Sequence, residues 1–166
     1  MSGLTLRLAE QRDRGAIRDV EQRAFGRADE ADLVEELVAA GDVVLELVAE
    51  RHGEIVGHVL FSRLRVEKDG AALTGVALAP LAVLPEEQGT GVGRALVEEA
   101  HRRLQAAGET LSVVLGEPSY YGRFGYEHQR AKDFESDYQC DALQAVAWGD
   151  APLLGKLVYP APFSGL

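Results

Sequence analysis

Apolar and polar positions alternate near the start of the chain. Leu4, Leu6 and Leu8 are separated by Thr5 and Arg7, the period of a half-buried strand. The spacing then lengthens to three and four. Ile17, Val20, Ala24 and Phe25 fall on one face of a predicted helix that Asp13 can cap and Gly26 ends. A second helix is predicted over 30–40 on Leu33, Leu37 and Val38, with Gly41 closing it. From Val43 the period returns to two. A strand over 43–50, a turn at Arg51-His52-Gly53 and a returning strand over 54–65 come next. Lys68-Asp69-Gly70 is the next turn signal, and 71–84 is extended and mostly small and apolar. Pro80 lies inside that segment and donates no ladder hydrogen bond, which predicts a bulge or a local break in pairing.

Pro85 stops the extended segment. A helix is predicted over 91–107, with Val92, Ala95, Leu96, Ala100, Leu104 and Ala107 inward and Arg94, Glu98, Arg102 and Gln105 outward. His101 falls on the outward face, and Gly108 sits where a cap glycine belongs. Residues 111–115 are nearly all apolar, as in the centre of a buried sheet. Residues 119–124 fit a short helical turn, and 134–148 and 153–163 carry one or two more strands. No repeat or linker-like stretch interrupts this order. A single mixed α/β sheet with helices on both faces accommodates it, as one domain over 1–166.

Composition narrows the function classes. The 166 residues are 46% hydrophobic, enough to bury a core without staples. A lone cysteine, Cys140, excludes an intrachain disulfide and suits a reducing compartment. No apolar run approaches the roughly 18–20 residues of a membrane span, and residues 1–10 lack the apolar core of a signal peptide. A cytoplasmic protein is the expectation. The net charge is −10, and no run of Lys and Arg is present to neutralise phosphates, so nucleic acid is not an expected partner. The acidic balance serves solubility, and it would also favour a cationic substrate such as an amine.

The segment Leu81-Ala-Val-Leu-Pro-Glu-Glu-Gln-Gly-Thr-Gly-Val-Gly-Arg94 carries the most chemistry. An extended strand feeds a glycine-rich turn that opens a helix. First-turn amides have no partner inside a helix and carry partial positive charge. Gly89, Gly91 and Gly93 clear side chains from their path, so an anion site suited to a pyrophosphate is expected. A P-loop is excluded because Arg94-Ala95 follows Gly93 where Lys-Ser/Thr is required. The dinucleotide fingerprint matches poorly, since Arg94 occupies its third glycine position. A Gly-x-Gly-x-Gly methyltransferase loop matches, with Glu117 as the acid after the next strand. That loop would ordinarily follow a first strand, and here it comes after about four.

Gln88-Gly-Thr-Gly91-Val-Gly93 resembles the Gln/Arg-x-x-Gly-x-Gly/Ala motif of the GNAT acetyltransferases. Pro118-Ser-Tyr-Tyr121-Gly-Arg-Phe-Gly125-Tyr126 is similar to that family's Tyr-x-x-Leu/Phe-Gly-Phe segment, and Gly57-His58 also fits. Strand order agrees over about 4–126, while 127–166 fit loosely. The resemblance implies the GNAT acyl-CoA N-acyltransferase fold: a mixed, mostly antiparallel sheet of about six to seven strands, flanked by about four helices and splayed between the fourth and fifth strands. It also implies acetyl-CoA as cosubstrate, no metal, and transfer to a primary amine by direct attack. The acceptor would be a small molecule or a peptide. Relatives are often dimers, so the resemblance admits a homodimer.

The family pattern transfers residue by residue. Amides over Gln88, Gly89, Thr90, Gly91, Val92, Gly93 and Arg94 would hold the pyrophosphate. Main-chain groups of Leu81, Ala82 and Val83 would pair with the pantetheine arm. An amide of Leu81 or Val83 would donate to the thioester oxygen. Tyr121, four residues before Gly125, would be the general acid, with Tyr120 its packing neighbour. Many relatives keep a glutamate on the fourth strand, but 71–80 here contain no acid, and Glu117 is the substitute base. Two rivals are a non-catalytic acyl-CoA-sensing domain of the same fold and an S-adenosylmethionine-dependent methyltransferase.

Other candidates carry blander readings. His52, His101 and His128 lack zinc spacing. His58 is expected to be structural, and Cys140 has no basic neighbour to activate it. Glu86 and Glu87 should turn away from the glycine loop. Phe25, Glu30, Glu35 and Glu36 lie where relatives bind acceptors, though a solvated helix face is the expected place for the acids.

Overall fold

The computed structural model describes residues 3–165; positions 1, 2 and 166 of the expected 1–166 domain lie outside the described residues. Its elements are β1 Leu4–Leu8, α1 Arg14–Phe25, α2 Asp29–Ala40, β2 Val43–Arg51, β3 Glu54–Lys68, β4 Ala71–Val83, α3 Val92–Ala106, β5 Leu111–Leu115, α4 Pro118–Tyr121, α5 His128–Ala131, β6 Phe134–Glu135, β7 Leu143–Ala147 and β8 Gly155–Val158. The strands form one open sheet in the order β1-β2-β3-β4-β5-β7. β8 pairs with the far end of β3 and with β6. Pairing is antiparallel except between β4 and β5 and between β6 and β8.

The chain is sharply punctuated where its glycines stand. Gly26 and Gly41 end α1 and α2 in the left-handed conformation. Asp69 and Gly70, both at positive φ, turn β3 into β4. The start of α1 differs from expectation. The Asp13 carboxylate accepts the Glu10 N–H (2.7 Å) and the Arg7 guanidinium (2.8 and 3.0 Å), so it closes the preceding turn and does not cap α1.

Pro80 produces the expected irregularity. Val59 faces Leu81 and Phe61 faces Leu78, so β4 carries one residue too many between them, a bulge at 79–80. β4 pairs with β5 only from Val76 to Leu78, opposite Ser112 to Val114, and the two strands then part.

Helix α3 packs on one sheet face and α1 and α2 on the other. β3 alternates accordingly: Val59 and Phe61 pack with α3, and Leu60 packs with α1 and α2. At Gly57 a Cβ would come within 2.7 Å of Val92 and 2.9 Å of Leu96, so this glycine lets α3 sit directly on the strand.

His58, the next residue, faces α1 and is fully buried. Its Nδ1 lies 2.6 Å from Glu21 of α1, and its Nε2 lies 2.8 Å from Glu46 of β2. Arg14 reaches the other oxygen of Glu46 at 2.7 Å. A neutral imidazole has one N–H, so meeting two carboxylates requires a further proton on the ring or on an acid. Burial works against the imidazolium, but the bonds to Glu21 and Glu46 outweigh it and raise the His58 pKa. Burial also raises Glu21, and His58 offsets this only in part. For Glu46 burial is outweighed by His58 and Arg14, and its pKa is lowered.

The structure corrects three expectations. His101 is buried, with Nε2 3.0 Å from the Tyr126 hydroxyl, which lies 2.8 Å from Ser112 Oγ. Burial pushes its pKa down to about 4, so it is neutral. Ala107, expected inward, is exposed beyond the end of α3. The C-terminal region holds three strands (one of two residues), giving eight among the described residues, and the one-turn α4 and α5 bring the helices there to five.

Replacing His58 with Leu strands two buried carboxylates and should cost about 3–5 kcal/mol in urea unfolding at neutral pH. Raised folded-state values for His58 and Glu21 mean that their contribution is full at low pH and lost as pH rises through those values. The wild type should therefore lose stability as pH rises above the ordinary histidine value of about 6.5, and in His58→Leu the decline should begin at lower pH, where the stranded Glu21 loses its proton.

Candidate active site

The parting of β4 from β5 opens the sheet. Leu81 to Val83 remain paired with β3 on one side and have no β5 partner on the other. Two cavities meet here. One, of about 510 Å³, runs into the split and is lined by Ala77–Leu81, Val113–Glu117 and Tyr121, with Phe25, Arg27 and Glu30 at the α1–α2 corner. The other, of about 540 Å³, runs along Leu81, Ala82 and Val83 to Gln88, Gly89, Gly91, Val92, Gly93 and Arg94. Phe25 and Leu81 line both.

The glycine loop holds its shape by its own bonds. Gln88 Nε2 donates to the Val83 carbonyl (3.1 Å), and Thr90 Oγ1 donates to the Glu87 carbonyl (2.6 Å). Gly89 and Gly91 have φ of 79° and 93°, the left-handed region, and a Cβ on either would meet nothing within 4 Å. They are needed for backbone conformation and leave open space in front of the loop. The Ala95 N–H bonds to Gly91 O at 3.0 Å, so amides just before it point out of the start of α3, a cradle for an anion. Glu86 pairs with Arg23 (2.9 Å) and Glu87 with Arg51 (3.2 Å), which draws both carboxylates to cationic partners.

Gly93 serves a different end from the one its motif suggests. A Cβ there would fall 2.5 Å from the Tyr120 hydroxyl. Gly116 does the same for Tyr121, whose ring edge would be 2.5 Å from an added Cβ. The two tyrosines of α4 thus divide. Tyr120 lies on the loop side, with the Arg123 guanidinium 4.8 Å from its ring centre. Tyr121 lies on the split side and packs edge-to-face against Tyr120 (5.0 Å) and Tyr126 (5.9 Å). Burial pushes the Tyr121 phenol up to about 12.

Glu117 lines the same cavity as Tyr121 but is exposed, taking a bond from Ser119 Oγ (3.3 Å). Glu30 is not on the solvated face its period suggested. Its side chain is 14% exposed, it lines the split, and it accepts from Arg27 Nε (3.0 Å) and Nη2 (2.5 Å). The Arg27 guanidinium holds its carboxyl below the ordinary value. Helical period cannot reveal that the α1–α2 corner folds over the parted strands. Beyond residue 129, Tyr138, Tyr159 and Phe163 also line this cavity, and no motif flagged them.

A parted β4–β5 pair, a glycine loop opening the next helix and a half-buried tyrosine facing the split define an acyl-CoA N-acyltransferase architecture. A family model described as an acetyltransferase (GNAT) domain matches residues 5–129. The N-acetyltransferase YjhQ of Escherichia coli K12 is 40% identical over 125 residues, covering 74% of this chain and 69% of YjhQ. The crystal structure of a GNAT acetyltransferase from Brucella melitensis in complex with acetyl-CoA superposes with a TM-score of 0.83 at 32% identity, covering 98% of this chain and 99% of that one. That of YhbS from E. coli in complex with CoA gives 0.89 at 32% identity, covering 98% and 92%. The chain belongs to the GNAT family of N-acetyltransferases. That assignment leaves no place for the methyltransferase alternative.

Gly93→Ala should cost about 1–3 kcal/mol through the collision with Tyr120. Adding Tyr120→Phe, which removes the colliding oxygen, should recover most of that loss in urea unfolding, whereas a clash with the main chain would leave it unrecovered.

Proposed function

We propose that this protein transfers the acetyl group of acetyl-CoA to a primary amine by direct attack, with Tyr121 protonating the departing thiolate. The observation that carries this reading is the edge of Leu81–Val83 that no neighbouring strand pairs, with the glycine loop at one end and the Tyr121 cavity at the other. The pantetheine amides match that strand edge, as an added strand would. The pyrophosphate matches the amides over 88–94. An amide of Leu81 or Val83 would donate to the carbonyl oxygen as it gains charge.

In the transfer, the amine nitrogen bonds to the acetyl carbon, the carbon–sulfur bond breaks, and the sulfur takes the Tyr121 proton. The amine must shed a proton of its own. Among the described residues, Glu117 and Glu30 are the carboxylates on the cavity that could take it, directly or through water. A phenol held near 12 keeps its proton at neutral pH and returns to that state readily once the thiol has left.

Calorimetry should show acetyl-CoA binding and no S-adenosylmethionine binding, and absence of the first would overturn the reading. Tyr121→Phe should lower kcat by about 100-fold or more with an unchanged acetyl-CoA Kd. Equal kcat in the variant would remove Tyr121 as the acid, and no turnover in the wild type would favour a sensing role. Because burial raises the phenol, loss of its proton should not depress kcat below about pH 10. A fall beginning near neutrality that disappears in Tyr121→Phe would contradict this.

A further inference from the structure

The parted-strand cavity has two chemically unlike walls. On the α1–α2 side stand Arg27 and Glu30, already bonded to each other. The same cavity has an aromatic wall made by Tyr138, Tyr159 and Phe163, residues after 129 and outside the segment that matches the family, with Phe163 packed on Leu33 and Leu37 of α2. Tyr138 and Tyr159 meet edge-to-face at 5.1 Å, and Tyr159 and Phe163 at 5.3 Å. The Tyr138 hydroxyl donates to the Phe163 carbonyl (3.3 Å), which ties the wall together. Burial pushes the Tyr159 phenol up to about 12, a sign of the low polarity there.

Two large apolar side chains are left uncovered at this cavity. Phe25 is 42% exposed and Leu115 is 49% exposed, and both line it. Apolar surface turned into a cavity favours a ligand whose own apolar surface covers it. The carboxylates are few. Among the described residues only Glu30 and Glu117 line it as carboxylates, and Glu30 is paired with Arg27, so a ligand with several ammonium groups would find few partners for its charges.

Resting on the acetyltransferase reading, we propose that the acceptor is a small primary amine carried on an aromatic or similarly bulky apolar body, with no second positive charge. Its ring lies against Tyr138, Tyr159 and Leu115, and its amine points toward Tyr121. Polyamines and hydrophilic aminoglycoside-like amines are poor fits to such walls. Specificity then resides in the C-terminal segment, while the donor site resides in the part shared with the family.

The test is steady-state acetylation of 2-phenylethylamine, tryptamine, spermidine and a glycine-initiated peptide at saturating acetyl-CoA, with donor binding measured separately. The aromatic amines should exceed the other two in kcat/KM by about 10-fold or more. Tyr138→Ala should raise KM for 2-phenylethylamine about 5-fold or more, Tyr138→Phe should not, and neither should change the acetyl-CoA Kd. Leu115→Glu, at an exposed position that folding tolerates, should shift selectivity toward spermidine by about 10-fold. A preference for spermidine or the peptide, or an unchanged KM in Tyr138→Ala, overturns the inference and leaves the acetyltransferase reading standing. Donor binding without turnover of any amine overturns both, as does failure to bind acetyl-CoA.

Discussion

Everything at the site depends on one constraint on β4: its main chain cannot be paired on both sides along its whole length. β5 is five residues long and leaves after three pairs, while Pro80 supplies no N–H and forces a bulge at the point of departure. Main-chain polar groups left inside a protein demand partners. The unpaired edge is therefore a standing template for an extended ligand with amides of its own, and the helices on each face become the walls around it.

Those helices are set by two consecutive residues of β3. Gly57 has no side chain, so α3 and its glycine loop lie close over one face. His58 anchors α1 to the other face through Glu21 and reaches β2 through Glu46, with Arg14 joining the same cluster. Counting Arg14 and a protonated ring against two carboxylates, the cluster is neutral as a whole. Its value lies in direction. Carboxylates and an imidazole bond at defined angles, whereas Ile17 and Val20 nearby only require contact. One turn beyond Glu21, Phe25 overhangs the place where the two cavities join.

Much of this is legible in the chain. Period and punctuation locate every element up to α4, including the bulge at Pro80, because those signals are local. The glycine loop and Tyr121 are legible because chemistry ties them to a spacing. Glu30 and the aromatic wall are not, since their importance arises only when distant segments close over the parted strands. His101 is misplaced by its period for a related reason. Period assigns a histidine to the polar face, but Tyr126 and Ser112, from two other segments, supply partners inside the core. Gly93 is legible as a glycine but not in its purpose, because its neighbour Tyr120 lies 27 positions further along the chain.

Phe25 and Leu81 belong to both cavities. A shared wall makes the two cavities one problem in geometry. The groove along Leu81–Val83 presents main-chain groups, whereas the cavity in the split is lined mostly by side chains. A change of side chain at the partly exposed Phe25 therefore reshapes both cavities at once.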